Sequence, residues 1–273
     1  MLNLVPIQYN WSFEFSIDNG VCRFMRNHNW IPVVACVFYA FLIFWGRYSF
    51  MNDKKPWKGS RPYLAAWNFM LSSFSFMGSF RVMCNLIYNL STLSLRDNFC
   101  LNPQETYGSG STGLWIQMFV LSKFPELFDT FFVVVNKKPL IFLHWYHHIT
   151  VLLFCWHSYI TDSTGGIFFC AMNYTVHAFM YGYYFLMSIR MKPKWMNPMF
   201  ITTIQILQMI GGVSLTSLQI YYYNTEQEGE CFVEKINITA ALIMYASYLA
   251  LFVEFFVKRY FMAKNAAREK KAI

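Results

Sequence analysis

The sequence predicts an all-α membrane protein with seven transmembrane helices. Of its 273 residues, 56% are hydrophobic and only 13% are charged, whereas a soluble domain carries about 25% charged residues. A helix that crosses a bilayer needs about 20 mainly apolar residues. Such stretches are expected at Trp30–Phe50, Pro62–Tyr88, Gly113–Val135, Pro139–Tyr159, Gly165–Ile189, Pro198–Tyr223 and Ile236–Val257. No repeat or linker divides the sequence, so residues 1–273 are expected to form a single polytopic domain.

Basic residues indicate the orientation, because cytosolic loops of membrane proteins carry an excess of Lys and Arg. Most of the 22 basic residues follow the first, third, fifth and seventh spans. The short segment 1–29 is therefore expected to be lumenal, and the basic tail 258–273 cytosolic. The N-terminal residues lack the basic and apolar regions of a cleaved signal peptide. This topology explains the net charge of +8, and an anionic substrate could be a further reason for it. We expect no nucleic-acid partner.

Four successive spans carry polar side chains at similar depths. Counting 1.5 Å per helical residue from the cytosolic ends places them roughly 8–20 Å deep. They are Glu126 and Asp129 on the third span, His144, His147 and His148 on the fourth, His177, Tyr181 and Tyr184 on the fifth, and Gln205 and Gln208 on the sixth. Lipid does not tolerate such groups, so this polar layer is expected to line a shared interior cavity.

Structural explanations stay open for individual members of the polar layer. Gln205 and Gln208 have a spacing typical of interhelical hydrogen bonds, and the tyrosines of the fifth span could form an interfacial belt. Lys123 and Glu126 could be no more than an i, i+3 ion pair. The three histidines of the fourth span lie at positions i, i+3 and i+4 and therefore share one face. Three ionisable groups on one face of a membrane helix indicate a functional site.

Two kinds of chemistry use several histidines and carboxylates in a dry chamber. One is metal chemistry, since imidazole and carboxylate groups hold non-haem iron, and membrane desaturases and hydroxylases also carry H-x-x-H-H boxes. Those enzymes hold two metals with more histidines than the six found here. The other is acyl transfer, with imidazole as nucleophile and base. A seven-helix receptor does not explain the polar layer, and a transporter with a buried proton relay usually has internal repeats, which this sequence lacks.

Four motifs on successive spans resemble those of a known family. They are K-x-x-E-x-x-D-T from Lys123, H-x-x-H-H from His144, H-x-x-M-Y-x-Y-Y from His177 and T-x-x-Q-x-x-Q from Thr202. From about Trp30 to Phe261 the sequence resembles the fatty-acid elongases of the endoplasmic reticulum, the very-long-chain 3-oxoacyl-CoA synthases. Trp145 and Tyr146 are similar to the H-W-Y-H-H branch, which acts on saturated and monounsaturated acyl-CoAs.

The resemblance implies a helical barrel around an acyl tunnel and the condensation of acyl-CoA with malonyl-CoA to 3-oxoacyl-CoA, CO2 and CoA. No cofactor or metal is expected. His147 would attack the thioester, and the other imidazoles of the layer, on His144, His148 and His177, would stabilise oxyanions. Asp129 and Glu126 would orient imidazoles and set their tautomers.

Further residues and partners follow from the same resemblance. The residues expected to contact substrate are Lys123, Tyr181, Tyr184, Gln205 and Gln208, with the cytosolic Lys137, Lys138, Arg190, Lys192 and Lys194. The five cytosolic basic groups suit CoA phosphates, although they could equally serve only as topology signals. The expected partners are acyl-CoA, malonyl-CoA and membrane lipid, possible additions being other enzymes of the elongation cycle and homo- or hetero-oligomers.

Two features of the sequence concern the compartment. Cys100 and Cys231 fall in two lumenal loops, where oxidising conditions permit a disulfide bond. We predict that pair, with two free thiols as the alternative. The last four residues include Lys270 and Lys271, as in the dilysine signal that retrieves membrane proteins to the endoplasmic reticulum. A basic tail attracted to anionic lipid is the alternative explanation.

We predict N-glycosylation at Asn10, which begins a sequon in the lumenal segment about 20 residues before the first span. Digestion with an N-glycosidase should increase the electrophoretic mobility of the wild-type protein and leave that of Asn10→Gln unchanged. A sequon engineered at the C-terminus should stay unmodified. A glycan at that position would contradict the predicted topology.

Overall fold

The structure is a computed structural model that describes residues 20–227 and 229–262. Every regular element within these two ranges is a helix. Asn10, Lys270 and Lys271 lie outside the described residues. Glycosylation and retrieval to the endoplasmic reticulum therefore stay predictions.

Each of the seven predicted spans overlaps a helix, or a pair of consecutive helices, in the described residues. In order, the helices are α1 (Gly20–Asn27), α2 (Ile31–Trp45), α3 (Arg61–Thr92), α4 (Leu95–Cys100), α5 (Pro103–Thr106), α6 (Gly110–Glu126), α7 (Asp129–Val135), α8 (Phe142–Ile160), α9 (Gly166–Ser188), α10 (Pro198–Thr225) and α11 (Lys235–Phe256). π-Helical turns at Gly46–Phe50 and Val257–Met262 extend α2 and α11, and a 3-10 turn at Lys58–Ser60 precedes α3.

Three of these segments are long and apolar enough to cross a membrane. They are Ile31–Phe50, Pro198–Thr225 and Lys235–Met262. Large apolar side chains also cover the outside of the helices: Val37 is 67% exposed and Phe76 is 65% exposed. Exposed apolar surface on this scale indicates a lipid environment, as expected for an all-helical membrane protein. That the other four segments also cross the membrane stays a prediction.

Six long helices form a closed ring. Around it α3 packs against α6, α6 against α8, α8 against α11, α11 against α10, α10 against α9, and α9 again against α3. Glycines permit two of these contacts, because a Cβ atom at Gly78 would lie 2.4 Å from the Tyr174 ring and one at Gly212 would lie 2.3 Å from the Tyr245 ring. Helix α2 is not a member of the ring and packs on it against α7 and α8.

The third predicted span, Gly113–Val135, is not one continuous helix. Helix α6 ends at Glu126 and α7 begins at Asp129. Pro125 causes the break, because proline has no N–H to donate and its ring clashes with the preceding turn. The N–H groups of Leu127 and Phe128 instead donate to carbonyls only three residues back.

The fourth predicted span also differs at its start. It was expected to begin at Pro139, but α8 begins at Phe142. Ile141 has an extended backbone, and the turn before it places Lys137 at a φ of 53°, in the left-handed region. The chain therefore reverses direction over these residues before the histidine helix starts.

Two links join α4 to the loop between α10 and α11. Cys100 and Cys231, the two loop cysteines singled out from the sequence, form a disulfide bond. Arg96 of α4 donates to the Glu226 carboxylate at 2.7 Å, and this hydrogen bond lowers the pKa of Glu226. The covalent link and the ion pair therefore hold the same two segments together.

We predict that Cys100→Ser combined with Cys231→Ser lowers the free energy of unfolding by about 2–4 kcal/mol, because the bond constrains a long loop of the unfolded chain. Denaturation in detergent micelles, with and without reductant, measures the change. Alkylation of the unreduced, denatured protein should modify five cysteines. As a control, Cys84→Ser, at a free cysteine of α3, should keep wild-type stability. Alkylation of Cys100 or Cys231 without reductant would contradict the prediction.

Candidate active site

Lys123 is a buried cation whose ammonium protons are all engaged. Its side chain is 1% exposed, and its Nζ donates to both carboxylate oxygens of Glu126, at 2.7 and 3.0 Å. The same Nζ donates to Oδ1 of Asn173 on α9 at 3.2 Å. An ammonium group has three protons, and these three acceptors account for them. These contacts engage the whole ammonium group within the protein, and substrate contact by Lys123 stays a prediction.

Asn173 determines which nitrogen of His177 carries the proton. A lysine can only donate, so the atom of Asn173 that faces Lys123 must be its oxygen. The amide nitrogen of Asn173 then faces Nε2 of His177 at 3.2 Å and donates to it. His177 is therefore neutral, with its proton on Nδ1, which lies 3.8 Å from the Glu126 carboxylate. Glu126 therefore lies beside an imidazole, and its role in orienting that ring stays a prediction.

Asp129 contacts no imidazole among the described residues. Its Oδ1 accepts a hydrogen bond from Nε1 of Trp67 at 2.6 Å, and its Oδ2 accepts one from the Tyr181 hydroxyl at 2.7 Å. Both oxygens are thus engaged by groups other than imidazoles, and a role for Asp129 in orienting an imidazole stays a prediction. After the helix break, Asp129 instead joins α7 to α3 and α9.

The three histidines of α8 have different surroundings. Nε2 of His144 lies 2.9 Å from Oγ1 of Thr130. His148 is buried, and its Nδ1 has no hydrogen bond within the described residues. The His148 ring lies 4.7 Å from the ring of His144 and 5.5 Å from that of His147. The three imidazoles therefore form one contiguous group.

Among the histidines of α8, His147 is the one that combines partial exposure with unengaged ring nitrogens in the described contacts. It is partly exposed, and neither of its ring nitrogens has a hydrogen bond among the described contacts. Its ring packs 5.1 Å from that of Tyr248. The Tyr248 hydroxyl lies 3.2 Å from the backbone carbonyl of His147, which accepts its hydrogen bond. Backbone and ring contacts with Tyr248 thus hold His147 in place, and neither ring nitrogen takes part in those contacts.

A mostly apolar cavity extends from the polar layer toward the end of the ring that carries α5. On α8 its lining residues include Val151, Phe154, Cys155 and Ser158, and on α9 they are Asn173, Cys170, Phe169 and Gly166. These positions lie 4, 7, 8 and 11 residues from His147 and His177 respectively, and this spacing places them on the same helical faces as the two histidines. Tyr107, Asp162 and Gln219 lie at the far end.

The remaining predicted members of the polar layer differ in their burial and in their hydrogen bonds. Tyr181 is buried, whereas Tyr184 is 47% exposed and lies one turn nearer the end of α9. Nε2 of Gln205 donates to the Met180 sulfur at 3.3 Å, which fits the role of a hydrogen bond between α10 and α9. Gln208 is buried.

The five basic residues predicted to contact CoA lie in the turns before α8 and α10. Lys137 donates to the Asn52 carbonyl at 2.9 Å, and Lys192 to the Met196 carbonyl at 3.2 Å. Lys138, Arg190 and Lys194 are exposed. All five are at the same end of the ring as the polar layer, opposite the far end of the cavity.

Several residues of the site were missed from the sequence. Asn173 lies four residues before His177, on the same helical face, but was not assigned to the site. Thr130 closes a recognised motif but was given no role. Trp67 and Tyr248 belong to spans without a motif, so no sequence signal could have found them.

The fold and the site together define the class of protein. It is an all-helical membrane protein in which a group of histidines lies next to an apolar cavity. The chain matches the ELO: GNS1/SUR4 family over residues 24–270. It is 37% identical over 267 residues to very long chain fatty acid elongase 6 of Drosophila melanogaster, covering 95% of this chain and 83% of the relative. It is 40% identical over 262 residues to very long chain fatty acid elongase 6 of Gallus gallus, covering 96% of both. The chain therefore belongs to the ELO family.

We predict that Lys123→Met lowers the free energy of unfolding by about 3–5 kcal/mol, because it leaves the Glu126 carboxylate buried without its counter-charge. Denaturation in detergent micelles measures the loss. The double variant Lys123→Met with Glu126→Gln should recover part of the lost free energy of unfolding, because it also removes the unpaired carboxylate. The control is Lys258→Met, which removes the exposed pair with Glu254 and should cost less than about 1 kcal/mol. Equal stability of the two lysine variants would contradict the prediction.

Proposed function

We propose that the chain is a condensing enzyme of fatty-acid elongation, which joins acyl-CoA and malonyl-CoA to give 3-oxoacyl-CoA, CO2 and CoA. Membership of the ELO family supports the reaction. One structural observation supports the site: His147, a partly exposed imidazole with unengaged nitrogens, lies one helical turn before Val151, which lines the apolar cavity. The acyl chain occupies the cavity, and the thioester lies at the imidazole.

In the first half-reaction His147 is the nucleophile. An unprotonated nitrogen of its ring attacks the thioester carbonyl carbon, the carbon–sulfur bond breaks, and CoA leaves as a thiolate that takes a proton from solvent. The product is an acyl-imidazolium on the enzyme. Covalent catalysis of this kind divides one difficult step into two easier ones. His148 beside it, and His144 and His177 at the same level, supply donors for the oxyanion.

In the second half-reaction malonyl-CoA loses CO2, and the electron pair left on its C2 attacks the acyl carbonyl carbon. The carbon–nitrogen bond to His147 then breaks, which releases 3-oxoacyl-CoA and restores the imidazole. The mostly apolar lining of the cavity limits the access of water to the acyl-imidazolium between the two steps. Tyr184, Lys138 and Arg190, at the open end, contact the CoA moieties.

The finer assignments of topology and location also belong to this proposal. All seven helical segments cross the endoplasmic reticulum membrane, with the N-terminus lumenal and the C-terminus cytosolic. This orientation puts the polar layer and the five basic residues toward the cytosolic pool of CoA esters. The H-W-Y-H-H motif supports saturated and monounsaturated acyl-CoAs as substrates. Other elongation-cycle enzymes, or further copies of the chain, are proposed partners.

The reaction as proposed requires no metal or other cofactor. The competing candidate is a non-haem iron desaturase or hydroxylase, in which histidines and carboxylates bind the metal. Within residues 20–227 and 229–262, no three His, Cys, Asp or Glu side chains are grouped so that they could hold a metal ion. Activity that survives chelation supports the condensing enzyme. Co-purifying iron, together with activity that chelators abolish, supports the oxygenase.

We predict that His147→Ala abolishes condensation, because it removes the nucleophile, while the protein stays folded. The assay follows incorporation of radiolabelled malonyl-CoA by purified protein in detergent, with a panel of acyl-CoAs. Wild-type protein given acyl-CoA alone should release CoA and add one acyl mass to a peptide that contains His147. The matched control is His28→Ala, in the short segment between α1 and α2, which should keep wild-type activity.

Two outcomes would count against the mechanism. Release of CoA only when malonyl-CoA is also present would replace the acyl-imidazole route with direct condensation in a ternary complex. Full activity of His147→Ala would remove the nucleophile from this position.

A further inference from the structure

We propose that Tyr39, on the helix outside the ring, is a positioning residue for His144 and acts on it through Thr130. The inference rests on the proposed function, since it concerns the imidazole group that carries out the condensation. The proposal gives α2 a role in the site, although no residue of α2 lines the cavity.

Two buried hydroxyls and the partly exposed His144 imidazole form a continuous hydrogen-bond chain from α2 to α8. The Tyr39 hydroxyl lies 2.7 Å from Oγ1 of Thr130, and the same Oγ1 lies 2.9 Å from Nε2 of His144. Thr130 is 0% exposed and Tyr39 is 5% exposed. Water is therefore kept from the central hydroxyl, and the three groups must satisfy one another.

Burial determines the direction of the chain. If Nε2 of His144 carried the proton, it would donate to Thr130, and Thr130 would donate to Tyr39. The proton of the buried Tyr39 hydroxyl would then have no acceptor among the described contacts. In the opposite direction Tyr39 donates to Thr130 and Thr130 donates to Nε2, and the proton without a described acceptor lies on Nδ1 of His144, a residue that is only partly buried. Only the second arrangement gives both hydroxyl protons an acceptor, so His144 is neutral, with its proton on Nδ1.

This tautomer matters because His144 belongs to the group that contains the nucleophile. Its ring packs 4.7 Å from that of His148, which in turn packs 5.5 Å from that of His147. A His144 ring that turned or changed tautomer would alter the donors presented to the developing oxyanion. Tyr39 and Thr130 hold the His144 imidazole in one orientation, and Tyr39 does so from α2, which lies outside the ring of helices.

The Tyr39 hydroxyl can be removed without detaching α2. The Tyr39 ring also lies 6.3 Å from that of His148, and Tyr39→Phe keeps this contact. A second contact with α8 comes from the Cys36 thiol, which lies 3.8 Å from the Ile149 carbonyl. The substitution therefore tests the hydrogen-bond chain rather than the packing of the helix.

The test measures condensation by Tyr39→Phe, Thr130→Val and Thr130→Ser. We expect kcat to fall about tenfold in Tyr39→Phe and Thr130→Val, the effect of one lost hydrogen bond, with KM for acyl-CoA unchanged. Thr130→Ser keeps a hydroxyl at the same place and should restore most of the wild-type kcat. A structural defect would not show this rescue together with an unchanged KM.

Tyr174→Phe is the matched control. Its buried hydroxyl donates to the Trp115 carbonyl at 2.8 Å, so the variant also loses one buried tyrosine hydrogen bond, but away from the imidazoles. We expect Tyr39→Phe and Tyr174→Phe to lose similar stability and only the first to lose kcat. Equal kcat in the two variants, or a Thr130→Ser variant as slow as Thr130→Val, would overturn the inference. A wild-type protein that condenses nothing would instead refute the proposed function, and the inference with it.

Discussion

The buried charge of Lys123 is the constraint on which the rest of the site depends. An ammonium group inside a low-dielectric ring of helices is tolerated only when it is neutralised and all its protons are bonded. Glu126 supplies the counter-charge from the same helix, but the third acceptor, Asn173, comes from α9. Satisfying this charge therefore sets the register of α6 against α9. Because the Asn173 amide has only one orientation compatible with Lys123, the same contact sets the tautomer of His177.

Helical periodicity explains why the polar layer and the apolar cavity share their helices. On α8 and α9 the faces that carry His147 and His177 continue with lining residues at intervals of three and four. One face of each helix thus changes from polar to apolar within about one turn. A ligand with a polar reactive end and a long apolar tail fits this change of character. The fold consequently orients such a molecule before any specific contact with its head group is made.

The sequence could predict the helices and the gathering of the motif residues, because hydropathy and spacing are local signals. It could not predict the partners of Asp129. Those partners depend on a break that Pro125 introduces, and this break changes the direction of the carboxylate relative to a continuous helix. Trp67 and Tyr248 are provided by helices distant in sequence, and hydropathy carries no information on which of their faces meets the site. Asn173 had a local signal, its spacing from His177, but this spacing alone does not distinguish a site residue from any other polar residue of the helix.

The four imidazoles of the layer are alike in sequence, and hydrogen bonding is what makes them different. Nε2 is engaged in His144 and His177, by a hydroxyl and an amide respectively, and His148 is buried between His144 and His147. A nucleophile needs an unengaged lone pair, whereas a group that stabilises an oxyanion needs a fixed proton. In the proposed mechanism His144 and His177 have the fixed proton, and His147, which is partly exposed whereas His148 is buried, has the accessible unengaged lone pair. The proposed division of labour among identical side chains therefore follows from their hydrogen-bond partners and their exposure.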